Sequence, residues 1–419
     1  MQNMCIGEIL MLSKNKFFYG LVFMLASIAV LGSAVARADQ NSTRFNPDIS
    51  LIIDGRYGSY SNTSNYALPG FMLGGEASRG EQGVYLGHNE LTLSSNIDDM
   101  FYAKFTSAIT DHESSTEVEL EEAFIETIGL DYGLNVKAGR FFSSIGYMNS
   151  QHGHAWDFVD APLVYRGLFG DQIIDDGVQA SWVAPTDLYV KVGAEVLRGA
   201  HYPAAGANKG GAGASSLFVK IGGDVGASHS WQAGMSHWEA DISGRKAASH
   251  SHAGSVATEI PTFTGTSKVN GLDFVWKWSP QGNASNEYLK VQAEYFERSE
   301  AGNVEMVGSS PLETTTYDGK QQGWYIQTVY KFMPCWRVGL RYDELDSGNT
   351  GSNATILTEA GLISNGHTPR RSTVMLDYSR SEFSRIRLQI SQDDSYSDSD
   401  TLVFIQYIMS MGSHGAHQF

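Results

Sequence analysis

The sequence predicts an all-β fold: a single transmembrane antiparallel β-barrel of about 16 strands (roughly 14–18), with one long loop folded inward. Three observations carry the prediction. Polar and apolar residues alternate with period two in segments that recur through the chain. Short and long connections alternate between those segments. The first 38 residues read as an export signal. Alternation alone fits a soluble sandwich, dry inside, or a membrane barrel with its apolar face toward lipid and its polar face toward a wet lumen. The ends of the chain favour the barrel.

Residues 1–38 form the expected signal peptide, ahead of a barrel over 39–419. Lys14 and Lys16 supply a positive start, Phe17 to Leu31 an apolar stretch, and Ala36-Arg37-Ala38 a small-residue cleavage site. The apolar stretch is short for a spanning helix, which favours cleavage over a retained anchor. No later run is apolar enough for a membrane helix. At the other end Val403, Ile405, Tyr407, Met409 and Met411 share one face, and Phe419 closes the chain in the same phase. A terminal aromatic in that position resembles the sorting signal of bacterial outer-membrane barrels. Outer-membrane lipid and the barrel assembly machinery are therefore expected partners, and the outer membrane the expected location.

Strands are expected over 49–60, 82–94, 100–110, 117–128, 132–142, 177–184, 188–198 and 215–224 in the first half. They continue over 229–239, 269–278, 287–297, 321–332, 335–344, 372–380, 384–392 and 400–411. The short connections, such as Asn96-Ile97-Asp98-Asp99 and Met333-Pro334, suit periplasmic turns; the long ones suit external loops. The first strand follows the cleavage site closely, leaving no room for the plug of a TonB-gated transporter. Forty-five glycines and twenty each of tyrosine and phenylalanine against ten prolines agree with a strand-rich chain bearing aromatic girdles. Cys335 is alone in the mature chain, so no disulfide is expected there.

The net charge is −17, and removal of Glu8, Lys14, Lys16 and Arg37 makes it −19, which argues against nucleic acid as a partner. The wall facing the lumen nevertheless reads as basic. Its expected cations are Arg56, Lys104, Lys137, Lys191, Lys220, Lys277, Lys290, Lys331, Arg337, Arg341, Arg385 and Arg387. Fewer acids share that phase: Asp54, Glu90, Glu195, Asp224, Asp273, Glu294 and Asp343. Segment 117–128 breaks the scheme. Glu117, Glu119 and Glu121 share one phase and Glu122 and Glu126 the other, which predicts a bulge or burial against an inner loop. Arg140 falls in the lipid-facing phase and is expected to snorkel or to follow a local irregularity.

The long connection 143–176 exceeds what joining two strands requires, and its Trp156, Phe158, Leu163 and Phe169 need something to bury against. Inward folding is expected. His152 and His154, with Asp157 or Asp160, are candidate ligands for a metal such as Zn²⁺; plain hydrogen bonding of the histidines to Asp157 and backbone is the alternative. The pairs His250/His252 and His414/His417 are weaker candidates.

The run Gly139-Arg140-Phe141-Phe142 through Gln151-His152-Gly153-His154-Ala155-Trp156-Asp157-Phe158-Val159-Asp160-Ala161-Pro162-Leu163 resembles a family of porin-like outer-membrane proteins. Asp176-Gly177-Val178-Gln179 and the ending Gly412 to Phe419 share that resemblance, which covers nearly the whole mature chain. The family is often labelled zinc-regulated outer-membrane receptor and is similar in build to phosphate-selective porins. The resemblance implies a closed barrel and a link to zinc supply.

Three functions follow as expectations. The leading one is a porin-like channel for passive diffusion of small polar or charged solutes, narrowed by loop 143–176, without cofactor or enzymatic activity. The second is zinc or metal capture. The third, a barrel-type hydrolase, lacks Gly-x-Ser-x-Gly and His-Glu-x-x-His signatures. A homotrimer is compatible, since trimers are common among sixteen-stranded porins.

Overall fold

The computed structural model describes residues 47–62, 67–74, 77–112, 115–206, 210–247, 259–309, 311–396 and 398–412. The expected signal peptide, Phe419 and the pairs His250/His252 and His414/His417 lie outside the described residues.

The strands are β1 Asp48–Tyr60, β2 Gly83–Leu86, β3 Asn89–Asn96, β4 Phe101–His112, β5 Ser115–Thr127, β6 Leu134–Phe142, β7 Ile174–Val183, β8 Tyr189–Leu197 and β9 Ala214–Val225. They continue as β10 His229–Lys246, β11 Ile260–Trp278, β12 Tyr288–Val307, β13 Glu313–Met333, β14 Trp336–Thr350, β15 Arg370–Ser381, β16 Ser384–Asp394 and β17 Asp400–Gly412. Neighbours in sequence are antiparallel neighbours in space, and β1 closes the ring on β17, from Ser50 opposite Gly412 to Tyr60 opposite Leu402. Both β2 and β3 pair with β1, so they are two halves of one stave interrupted at Gly87 and His88. The ring is thus a closed barrel of sixteen staves, which leaves no sheet edge to satisfy in lipid.

Lower in the wall the outward residues are apolar and exposed, among them Leu217, Val219, Met235, Leu272, Leu340, Val374 and Ile390. Such a belt is stable only against hydrocarbon, so these strands span a membrane. Each expected strand is present, but β10 to β14 run well past their expected ends. The reason lies in β10. Met235 faces out and Ser236 in, whereas further along Trp238, Ala240 and Ile242 face in while Glu239 and Asp241 face out. The backbone alternation is unbroken, yet the apolar phase swaps faces where the wall leaves the membrane. A periodicity argument reads that swap as the end of a strand.

Above the swap the interior is a hydrophobic core. Wall residues Trp238, Phe263, Phe296, Val304, Tyr317 and Leu345 pack on Leu68, Phe71 and Met72 of the connection after β1. They also pack on the connection after β6, whose helix α1 (Leu163–Phe169) is buried at every residue. Because β7 starts at Ile174, this inward loop spans 143–173 rather than 143–176.

The expected irregularity in β5 is a bulge. Between the Thr106–Glu122 and Ser107–Leu120 pairings Glu121 has no partner, so Glu121 and Glu122 are consecutive and both buried on the inner side. Gly139 on β6 sits beside this segment at φ +129°, and a Cβ there would lie 2.1 Å from the Ala123 carbonyl oxygen, so only glycine allows the approach. Arg140, next to that irregularity, bonds Asp176 on β7 at 2.7 Å rather than snorkelling.

Candidate functional site

The inward loop is held by charge. Asp160 meets Arg341 at 2.9 Å and Arg371 at 2.8 Å, and accepts from Gln389 at 2.8 Å. Asp157 meets Lys290 at 3.0 Å and Arg337 at 3.1 Å. Burial pushes both carboxyls up, but the cations outweigh it. Lys290 and Arg337 hold Asp157, and Arg371 and Arg341 hold Asp160, well below the usual carboxylate range. Arginine side chains also grip loop carbonyls: Arg371 donates to Ala161, Arg387 to Trp156, Arg385 to His154 and Arg298 to Leu168. On another side Glu294 accepts from the Tyr147 and Met148 amides and from the Tyr165 and Tyr325 hydroxyls. The void left between the loop and β12 to β14 is about 10 Å³, no more than a single water needs.

These contacts redirect the sequence expectation for a metal. Asp157 and Asp160 are consumed by guanidinium and ammonium partners and do not complete a site with His152 and His154. The wall supplies the carboxylates instead. His152 Nδ1 lies 3.0 Å from Glu90 and 3.4 Å from Glu121, its Nε2 lies 2.8 Å from Glu122, and His154 Nδ1 lies 2.8 Å from Glu90. Lys104 contacts Glu122 at 2.6 Å and His152 Nε2 at 2.9 Å, and His88 contacts Glu121 at 3.1 Å. Burial pulls the His152 imidazolium down, but Glu90 and Glu121 outweigh it and hold its pKa well above the usual value. His88 and Glu90 come from one stave and Glu121 from another; the lumenal phase of Glu90 and the conflict of phase at 117–126 pointed toward this wall.

Eleven of the twelve basic wall residues fall into two groups, with Arg56 apart. Lys220, Arg341 and Arg387 are buried beneath the loop: Lys220 bonds Asp273 and the Gly146 carbonyl, Arg341 bonds Asp160 and Asp343, and Arg387 bonds Asp377. Arg56 pairs with Asp54. The others sit near the short-turn ends of their strands. Lys104, Lys137, Lys290 and Arg337 there have carboxylate partners, with Lys137 3.8 Å from Glu126. Lys191, Lys331 and Arg385 form no ion pair among the described residues. Lys191 lies over the Phe218 ring and Lys331 over Tyr288. The register sets like charges directly opposite each other on adjacent strands: Lys191 with Lys220, Lys277 with Lys290, and Lys331 with Arg337. Such pairs destabilise a sheet.

No family model matches the sequence. A protein of Aquifex aeolicus (strain VF5), described only as uncharacterized, is 32% identical over 402 residues, covering 90% of this chain and 80% of that one. Among solved structures, a loop-L8 deletion mutant of OmpT, an outer membrane protein of Vibrio cholerae, superposes with a TM-score of 0.52 at 10% identity over 87% of this chain and 99% of that one. The trimer form of OmpT gives 0.50 at 9% identity, over 87% and 99%. The outer membrane channel DcaP of Acinetobacter baumannii gives 0.50 at 12% identity, over 87% and 97%. At such identities the superpositions speak for fold, and they agree with the closed ring and its apolar belt. The chain belongs to the family of the Aquifex aeolicus protein, and it has the fold of a bacterial outer-membrane β-barrel.

Proposed function

We propose that the protein is a porin-like channel for passive diffusion of small charged solutes, with its lumen narrowed by loop 143–173 and a preference for anions at its short-turn mouth. The basic mouth is the observation that carries the reading. In the like-charged cross-strand pairs Lys220, Lys290 and Arg337 each have a carboxylate partner, and the second cation set beside each of them adds positive charge that favours an anionic solute. A charged, wet vestibule needs no energy source to bias passage. The test is conductance in planar bilayers across a KCl gradient. Discrete channels whose reversal potential favours chloride are expected; silence of the folded protein, or preference for potassium, would reject the proposal.

A homotrimer is the assembly supported by the trimer form of OmpT. An outward apolar groove of about 900 Å³, lined by Trp182, Val192, Leu217 and Leu272 among others, is a face suited to a neighbouring barrel. Light scattering in detergent, corrected for bound micelle, is expected to return the mass of three chains; the mass of one would reject the trimer.

A further inference from the structure

We propose that Glu90, Glu121, His152 and His154 form a binding site for a divalent transition-metal ion of the Zn²⁺ class, and that the ion clasps the inward loop to the barrel wall. Glu90, His152 and His154 each offer a ligand atom, and the three atoms lie within 4.8 Å of one another. Glu121 reaches the same place, with its Oε2 3.4 Å from His152 Nδ1. Two imidazole nitrogens and two carboxylate oxygens are a donor set suited to tetrahedral Zn²⁺.

Three further observations point to an ion. Glu121 is only 9% exposed, and its Oε2 forms no hydrogen bond of good geometry although His152 Nδ1 lies 3.4 Å away, so a buried lone pair is aimed at the cluster. Among the described residues the cationic partners of Glu90 and Glu121 are all histidines; the nearby lysine, Lys104, is committed to Glu122. Glu122 also lies 2.8 Å from His152 Nε2, the nitrogen facing away from Glu90, which is the placement of an outer carboxylate that orients a metal-bound histidine. The β5 bulge makes this possible, because without it Glu121 would point to lipid while Glu122 points inward.

The site joins three separate pieces of chain: β3, β5 and the loop. An ion there would pin the loop to a wall distant from the Asp157 and Asp160 contacts on β12 to β16. The clasp does not depend on the channel reading, since it concerns only how the loop is held.

The test is calorimetric titration of Zn²⁺ into the folded, detergent-solubilised full chain after chelator treatment. One ion per chain is expected. His154→Ala and Glu121→Gln should each weaken binding about tenfold or more, whereas Glu239→Gln, at an outward carboxylate on β10 that touches neither the loop nor the site, should leave affinity within about twofold. Co²⁺ in place of Zn²⁺ should give the visible absorption of a tetrahedral site, reduced in the same two variants. Folding of each variant is checked by heat-modifiable migration, and wild-type binding stands as a readout of its own should a variant misfold. No binding to the wild type, or binding unchanged in folded His154→Ala and Glu121→Gln, would overturn the proposal. Conductance of the same preparation separates failure of the metal site from failure of the channel.

Discussion

Asp160→Asn is expected to cost about 3 kcal/mol of stability, near the lower end of what breaking a buried ion pair costs, and to raise single-channel conductance. Two arginines depend on this carboxylate, and both are buried, with Arg371 1% and Arg341 3% exposed. Removing the charge leaves them with Asp343, which Arg341 meets at 3.0 Å and Arg371 only at 3.8 Å. That remaining partner keeps the cost from reaching the upper end of the range. Gln389, which donates to Asp160 and accepts from the Val159 amide, loses its anionic acceptor as well. Urea unfolding in detergent reads the stability, and bilayer recordings read the loop. Unchanged stability and conductance would mean that the loop is held by its apolar packing alone.

The same carboxylate sets a dependence on pH. Its folded pKa is depressed, so its contribution is complete above the ordinary aspartate value of about 3.9 and is lost only as pH falls through the lowered folded value. The wild-type loop should therefore stay closed at pH 4, and the difference between wild type and Asp160→Asn should persist there.

Charge reversal at the mouth is expected to have the largest effect on selectivity. Lys191, Lys331 and Arg385 form no ion pair among the described residues, so no carboxylate in direct contact cancels their charge. Each unit charge acts on an ion roughly 10 Å away with about 0.4 kcal/mol in water, and salt at 0.1 M leaves about a third of that. The triple variant Lys191→Glu, Lys331→Glu and Arg385→Glu reverses two unit charges per site. It should therefore move the anion-to-cation permeability ratio on the order of tenfold toward cations. The shift should shrink in 1 M salt, where screening is stronger. A reversal potential that stays put in the triple variant would show that selection occurs elsewhere in the lumen.

Much of this molecule was legible in one dimension. The strands at 287–297, 335–344 and 384–392 repeat a period-two pattern because lipid contacts one face and a polar interior the other, so each stave carries its own orientation. The bulge in β5 was legible for the same reason, as a clash of phases at Glu121 and Glu122. The upper halves of β10 to β14 were not. There the apolar phase crosses to the inner face at Trp238 and its neighbours, and local pattern cannot distinguish such a crossing from the end of a strand.

The site divides in the same way. His152 and His154 were recognisable as a pair, and the inward course of their loop followed from its unpaired aromatics. Which carboxylates they meet was decided by the ring's closure and the loop's path. Asp157 and Asp160 are nearer in sequence, but the loop carries them to the arginines of β14 and β15, while Glu90 and Glu121 arrive from β3 and β5. The staves and their faces follow from residues a few positions apart. Which charges pair is set by the barrel's closure and the path of the loop, which fix those distances independently of spacing along the chain.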